Sequence, residues 1–139
     1  MKLTQEIVFE NNKLIVQFME LLKIEEINDL EYFVNKKMWR LLDKPKDVNE
    51  YFLELFCHPK NSGHYKFYSS WNLLMPVVDK IEELGYDTKI ERNNDDDCHY
   101  TEIFNMPNAN DCICPDGNSK IETTYNAVIE FITWYNKNK

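Results

Sequence analysis

A chain of 139 residues, 43% hydrophobic and 14% aromatic, can bury one packed core without a disulfide or metal staple. Its net charge of −8 sets it against nucleic acid, since the densest basic group, Lys36, Lys37 and Arg40, makes no stripe for phosphates. Three glycines and five prolines are too few for a disordered chain, Met1-Lys2-Leu3-Thr4 opens no signal peptide, and no apolar run reaches bilayer length.

In chain order, the first periodic segment is 12–22. Leu14, Ile15, Phe18, Met19 and Leu22 share one helical face, and Lys13, Gln17 and Glu20 the other. Asn11 or Asn12 suits the N-cap, with a start near Thr4 as the alternative. Leu30, Phe33, Val34, Met38, Leu41 and Leu42, then Val48, Phe52, Leu55 and Phe56 beyond the Lys44-Pro45-Lys46 break, suit further helices within 27–56. Aromatic and β-branched residues there suit short strands as well. Residues 57–64 read as a loop punctuated by Pro59 and Gly63, and 65–68 as a short strand. Ser69 or Ser70 caps a helix over 70–84, whose apolar face is Leu74, Val77, Val78, Ile81 and Leu84 and whose end is Gly85. Pro76 withholds the N–H that would bond the Asn72 carbonyl, so a kink or an altered first turn is expected.

Residues 86–92 alternate as a strand, 93–97 turn, and 98–104 return, making a hairpin. Residues 105–118, rich in Asn, Asp, Pro and Gly, read as a loop. Ser119-Lys120-Ile121-Glu122 is a capping box that opens a helix over 119–136. Ile121, Tyr125, Val128, Ile129, Ile132 and Tyr135 form its apolar face. The expected fold is a single α+β domain. A small antiparallel sheet including the 86–104 hairpin is packed by the helices at 12–22, 70–84 and 119–136, with the helices of 27–56 over a second face. Pairing of open sheet edges would give a homodimer.

Residues 68–82 (YSSWNLLMPVVDKIE) and 119–136 (SKIETTYNAVIEFITWYN), and more loosely Leu14 to Met19, resemble a group of small phage and prophage proteins of unassigned function. They are similar to the phage ABA-sandwich domain, in which helices cover both faces of a small sheet. The resemblance covers 65–136. Residues 24–61 have no counterpart in it and read as an insertion or a divergent lid. It implies an origin and a fold, and carries no catalytic residue.

Candidate chemistry begins with Cys57-His58, His64, Cys98-His99 and Cys112-Ile113-Cys114. Without an export signal, all four cysteines are expected as reduced thiols in a cytoplasmic protein. Zinc wants four N or S ligands, and no Cys-x-x-Cys supplies half of them. Adjacent strand residues point to opposite faces, so Cys98 and His99 do not favour a shared metal. Cys98, His99, Cys112 and Cys114 stay the only metal candidates, and no cofactor is expected. The acidic turn at 95–97, flanked by Glu91 and Glu102, lacks the spaced ligands and glycine of an EF-hand loop. Ser69 and Ser70, or Cys57, Cys98 and Cys112, with His58, His64 and His99 have no nucleophile motif behind them, and helix capping accounts for Ser70.

The aromatic set Tyr65, Phe67, Tyr68, Trp71, Trp134 and Tyr135 fits a partner-anchoring surface or a ligand pocket, although large aromatics more often close the ends of a core. The expected function is therefore non-catalytic binding, of the kind a phage accessory protein exerts on a host protein such as a defence component. The alternative is a small-molecule binder, a sponge for a nucleotide signal, with Lys66, Lys80, Lys89 and Arg92 as its cations. A metal- or cysteine-dependent enzyme using Cys112 and Cys114 ranks third. Neither nucleic acid nor membrane is an expected partner.

Overall fold

A computed structural model describes residues 3–21, 53, 56–61, 63–93, 98–106 and 112–138. The helices expected within 27–56 lie outside these residues, save for helical backbone at Leu53, Phe56 and Cys57, and so does the acidic turn at 95–97. The chain is α+β and divides into two compact units, Met1–Tyr65 and Lys66–Lys139. No helix among the described residues is long and apolar enough to cross a membrane.

In the first unit, α1 spans Gln5–Phe18, earlier at both ends than the 12–22 periodicity indicates. Thr4 is the N-cap, its hydroxyl accepting the Ile7 N–H at 3.2 Å. Starting there puts Val8, Asn12, Ile15 and Val16 on one buried stripe, so Asn12 is a core residue and not a cap. The helix ends because Glu20 takes a left-handed backbone, φ 57°. The Glu20 N–H then reaches the Gln17 carbonyl and the Leu21 N–H the Val16 carbonyl, a Schellman closure without glycine. Residues 65–68 form no strand: Tyr65 bonds back to the Phe56 carbonyl in this unit, and Ser69 N–H to the Lys66 carbonyl closes a turn in the next.

The second unit runs α2 (Trp71–Glu83), β1 (Asp87–Asn93), β2 (Cys98–Phe104), β3 (Asp116–Gly117) and α3 (Lys120–Asn138). α2 buries the expected Leu74, Val77, Val78 and Ile81, while Leu84 is exposed. The helix stays continuous through Pro76. Ser70 holds the N-cap position, but its carbonyl and not its hydroxyl meets the first turn, accepting from Leu73 and Leu74 N–H. Gly85, at φ 103°, closes α2 with the same Schellman pair, Gly85 N–H to Glu82 and Tyr86 N–H to Ile81.

The sheet is antiparallel in the order β1-β2-β3, with Ile90 opposite Thr101 and Thr88 opposite Ile103. The end of the expected 105–118 loop is in fact its third strand. Ile113 exchanges both backbone hydrogen bonds with Ile103, at 2.8 and 3.0 Å, and Asp116 pairs with Tyr100. Pro115 obscures this in the sequence, but an edge position tolerates a residue without an N–H. Thr101 and Ile103 face α3, where the Thr101 hydroxyl lies 2.8 and 3.0 Å from those of Thr123 and Thr124. Both α3 hydroxyls donate to the Lys120 carbonyl, so the single Thr101 hydrogen goes to one of them. Ser119 caps α3 by accepting the Glu122 N–H, while the Glu122 carboxylate reaches one residue beyond the box, to the Asn118 N–H.

Candidate functional site

The structure sorts the aromatic set by burial. Phe67 is core, at 2% exposure. Tyr65 is half-buried against Phe56 in the first unit. Tyr68 is half-buried and meets Tyr125 edge-on at 6.3 Å, on the first half of α3. Trp134 and Tyr135 sit on the second half of α3, around Phe131. Tyr86 joins them, 4.9 Å from Phe131 and 5.9 Å from Trp134. These rings close two ends of a helix–sheet core, as large aromatics usually do.

Trp71 differs. It opens α2 at 38% exposure, and Met75, one turn on, is 37% exposed. Asn72, Pro76, Asp79, Glu82 and Glu83 are the other exposed residues along this helix. Positions 71, 75, 79, 82 and 83 fall on one stripe, apolar at its start and acidic at its end. Pro76 offers no N–H to the Asn72 carbonyl, which leaves a backbone acceptor of the helix beside Trp71. Met75 stands outside the aromatic set, and its spacing of four from Trp71 is the sequence signal that joins the two on one helix face.

The nucleophile candidates fare otherwise. Cys57 is fully buried, and burial pushes its thiol up to about 12, against a smaller opposite pull from Lys13. A thiol so placed stays protonated and closed to substrate. Beside it, His58 is committed at both ring nitrogens. Nδ1 accepts the Lys60 N–H at 3.2 Å, which leaves Nε2 as the donor facing the Glu6 carboxylate at 3.4 Å. Its ring also packs on Phe9, centroids 4.8 Å apart. Because the folded thiol titrates above the unfolded one, its contribution to stability is whole below about pH 9. That contribution is lost between pH 9 and about 12. Cys57 is expected to resist a disulfide reagent at pH 8 that labels Cys112 and Cys114 within minutes. A Cys57→Ala variant is expected to flatten the alkaline fall in stability, read by denaturant titration at successive pH values.

The Cys/His set does not converge. Cys98 and His99 lie on opposite faces of β2, with His99 beside Gly117 at the far end from Ile113. Among the described residues, no three His, Cys, Asp or Glu side chains gather as metal ligands. Of the candidate cations, Lys89 and Arg92 project from opposite faces of β1, and Lys89 is held 3.2 Å from Glu91. Glu91 also accepts from the Tyr100 hydroxyl directly across the strand pair. That bond first, and Lys89 second, hold the Glu91 carboxyl below its usual range. The same bond, then burial and the Glu91 charge, push the Tyr100 phenol up against a smaller opposite pull from Lys89.

Comparison with protein-family models, with curated proteins and with solved structures finds no match to this chain.

Proposed function

We propose that this protein is a non-catalytic binding module that docks through the exposed stripe of α2 onto another protein. The observation that carries the reading is the pair Trp71 and Met75, left exposed one turn apart while the other candidate aromatics pack. Trp and Met are enriched in interface cores, and charged residues belong to the rim. Asp79, Glu82 and Glu83 continue the stripe, so the complementary surface is an apolar pocket bordered by Lys or Arg. The net charge of −8 favours encounter with such a basic surface. The buried thiol of Cys57 and the doubly engaged ring of His58 support a role without catalysis. The resemblance of 68–82 and 119–136 to small phage proteins makes the partner a host protein, with a defence component as the example.

The test is affinity purification from bacterial lysate, followed by measurement of the partner's Kd for purified variants. Trp71→Ala is expected to weaken binding by about 30-fold or more, the scale of an interface hot spot. Met75→Ala is expected to weaken it less, and Tyr135→Ala to leave it unchanged. Equal losses from all three, or none from Trp71→Ala, would overturn the reading.

A further inference from the structure

The third strand has a property that docking through α2 does not use. Ile113 is locked to Ile103 by two backbone hydrogen bonds, which holds 112–114 extended at the sheet edge. Ile103 is 1% exposed and faces α3, and Ile113 shares its face. The residues on either side, Cys112 and Cys114, therefore point together from the opposite face, and both are exposed free thiols. Glu102, Cys112, Asp116 and Glu130 are the acidic neighbours of Cys114.

The spacing decides what such a pair can do. Alternate residues of a strand stand about 6.6 Å apart along it. A disulfide needs Cβ atoms about 3.5–4.5 Å apart, so it cannot close here without breaking the Ile103–Ile113 bridge. Two metal–sulfur bonds of about 2.3 Å each, set end to end, span about 4.6 Å. Each sulfur need lean only about 1 Å toward the other to meet that span. The pair is too wide for a disulfide and suited to one ion held linearly between two sulfurs. Zinc would want two more ligands, and no third Cys, His, Asp or Glu of the described residues stands with these two in ligating position. Monovalent copper is soft, is selected by thiolates, and accepts two ligands.

We propose that Cys112 and Cys114 form a two-coordinate thiolate site for copper(I). Binding forms two Cu–S bonds and breaks two S–H bonds: two thiols and one copper(I) give a bis-thiolate complex of charge −1 and release two protons. The copper is neither oxidised nor reduced. Because each binding event releases two protons, apparent affinity should climb with pH by about 100-fold per unit while both thiols are protonated in the free protein.

The experiment is anaerobic titration of the full chain with copper(I) against bicinchoninate, a chromophoric competitor. One equivalent is expected to transfer to the wild type. Cys112→Ser and Cys114→Ser should each lose at least 100-fold in affinity, and Cys98→Ser nothing. Both serine positions are exposed, and circular dichroism checks their folding. A second readout needs no variant: bound copper(I) should shield Cys112 and Cys114, but not Cys98, from iodoacetamide. Failure to compete with bicinchoninate, uptake that survives the Cys112/Cys114 double substitution, or equal alkylation of all three cysteines with and without copper would each overturn the proposal.

Discussion

Replacing Asn12 by alanine is expected to cost the first unit about 2–4 kcal/mol. The side chain is fully buried on the α1 stripe, and its amide nitrogen donates to the carbonyls of Cys57 at 2.8 Å and Tyr65 at 3.0 Å. These acceptors lie 45 and 53 residues away, so one side chain fastens α1 to both ends of the 57–65 turn. Truncation strands two carbonyls, each at about 1–3 kcal/mol when buried. The sum is reduced because Asn12 Oδ1 has no hydrogen-bond partner itself, so its removal relieves a penalty. Asn12→Asp should be worse than Asn12→Ala, since it sets a carboxylate against two carbonyl oxygens. Urea unfolding followed by circular dichroism, with Cys57 labelling as a local reporter, measures both. A loss below about 0.5 kcal/mol for Asn12→Ala would refute the clamp, being the range of an ordinary surface substitution.

Phe131→Ala is expected to cost about 3–5 kcal/mol in the second unit. Phe131 is fully buried and is the ring that Tyr86, Trp134 and Tyr135 all share. Its removal leaves a cavity under three aromatic side chains, so near-ultraviolet circular dichroism should collapse with the stability. Phe131→Leu keeps most of the volume and should cost less than half as much. Trp134→Ala, at a half-buried position, should fall between that and the wild type. If Trp134→Ala proved more damaging than Phe131→Ala, the assignment of Phe131 as the cluster's centre would be wrong.

Where local chemistry determined an element, it was legible from the residues. The hairpin, α2 with its closing Gly85 and α3 with its capping Ser119 all follow from alternation, glycine at a left-handed position and a side-chain cap. α1 shows the limit. It ends in the same Schellman geometry as α2, but with Glu20 in the left-handed site, and no residue type announces that. Its start was shifted because Asn12 reads as a cap, whereas two distant carbonyls recruit it into the core. The third strand was hidden for a related reason. Cys112 to Gly117 have poor strand propensity, and it is the ladder to β2 that holds them extended. Of the candidate site, Trp71 was visible as a residue off the apolar stripe. That Trp134, likewise off the apolar stripe of its helix, gathers with Tyr135 around Phe131 depends on packing that only the fold specifies. The Cys/His set likewise divides only once the strand register is known: His99 turns to the α3 side of the sheet and Cys112 and Cys114 to the other.

Docking through one face of α2 can be probed in place. Met75 is replaced by a benzophenone-bearing amino acid, and the protein is irradiated in bacterial cells and resolved by denaturing electrophoresis. Lys120 and Lys137, exposed positions on α3, serve as controls carrying the same probe. A single discrete adduct from position 75, absent from both controls and lost when Trp71→Ala is added, is the predicted result. No adduct at position 75, or one of equal yield from Lys137, would contradict the assignment of α2 as the docking face.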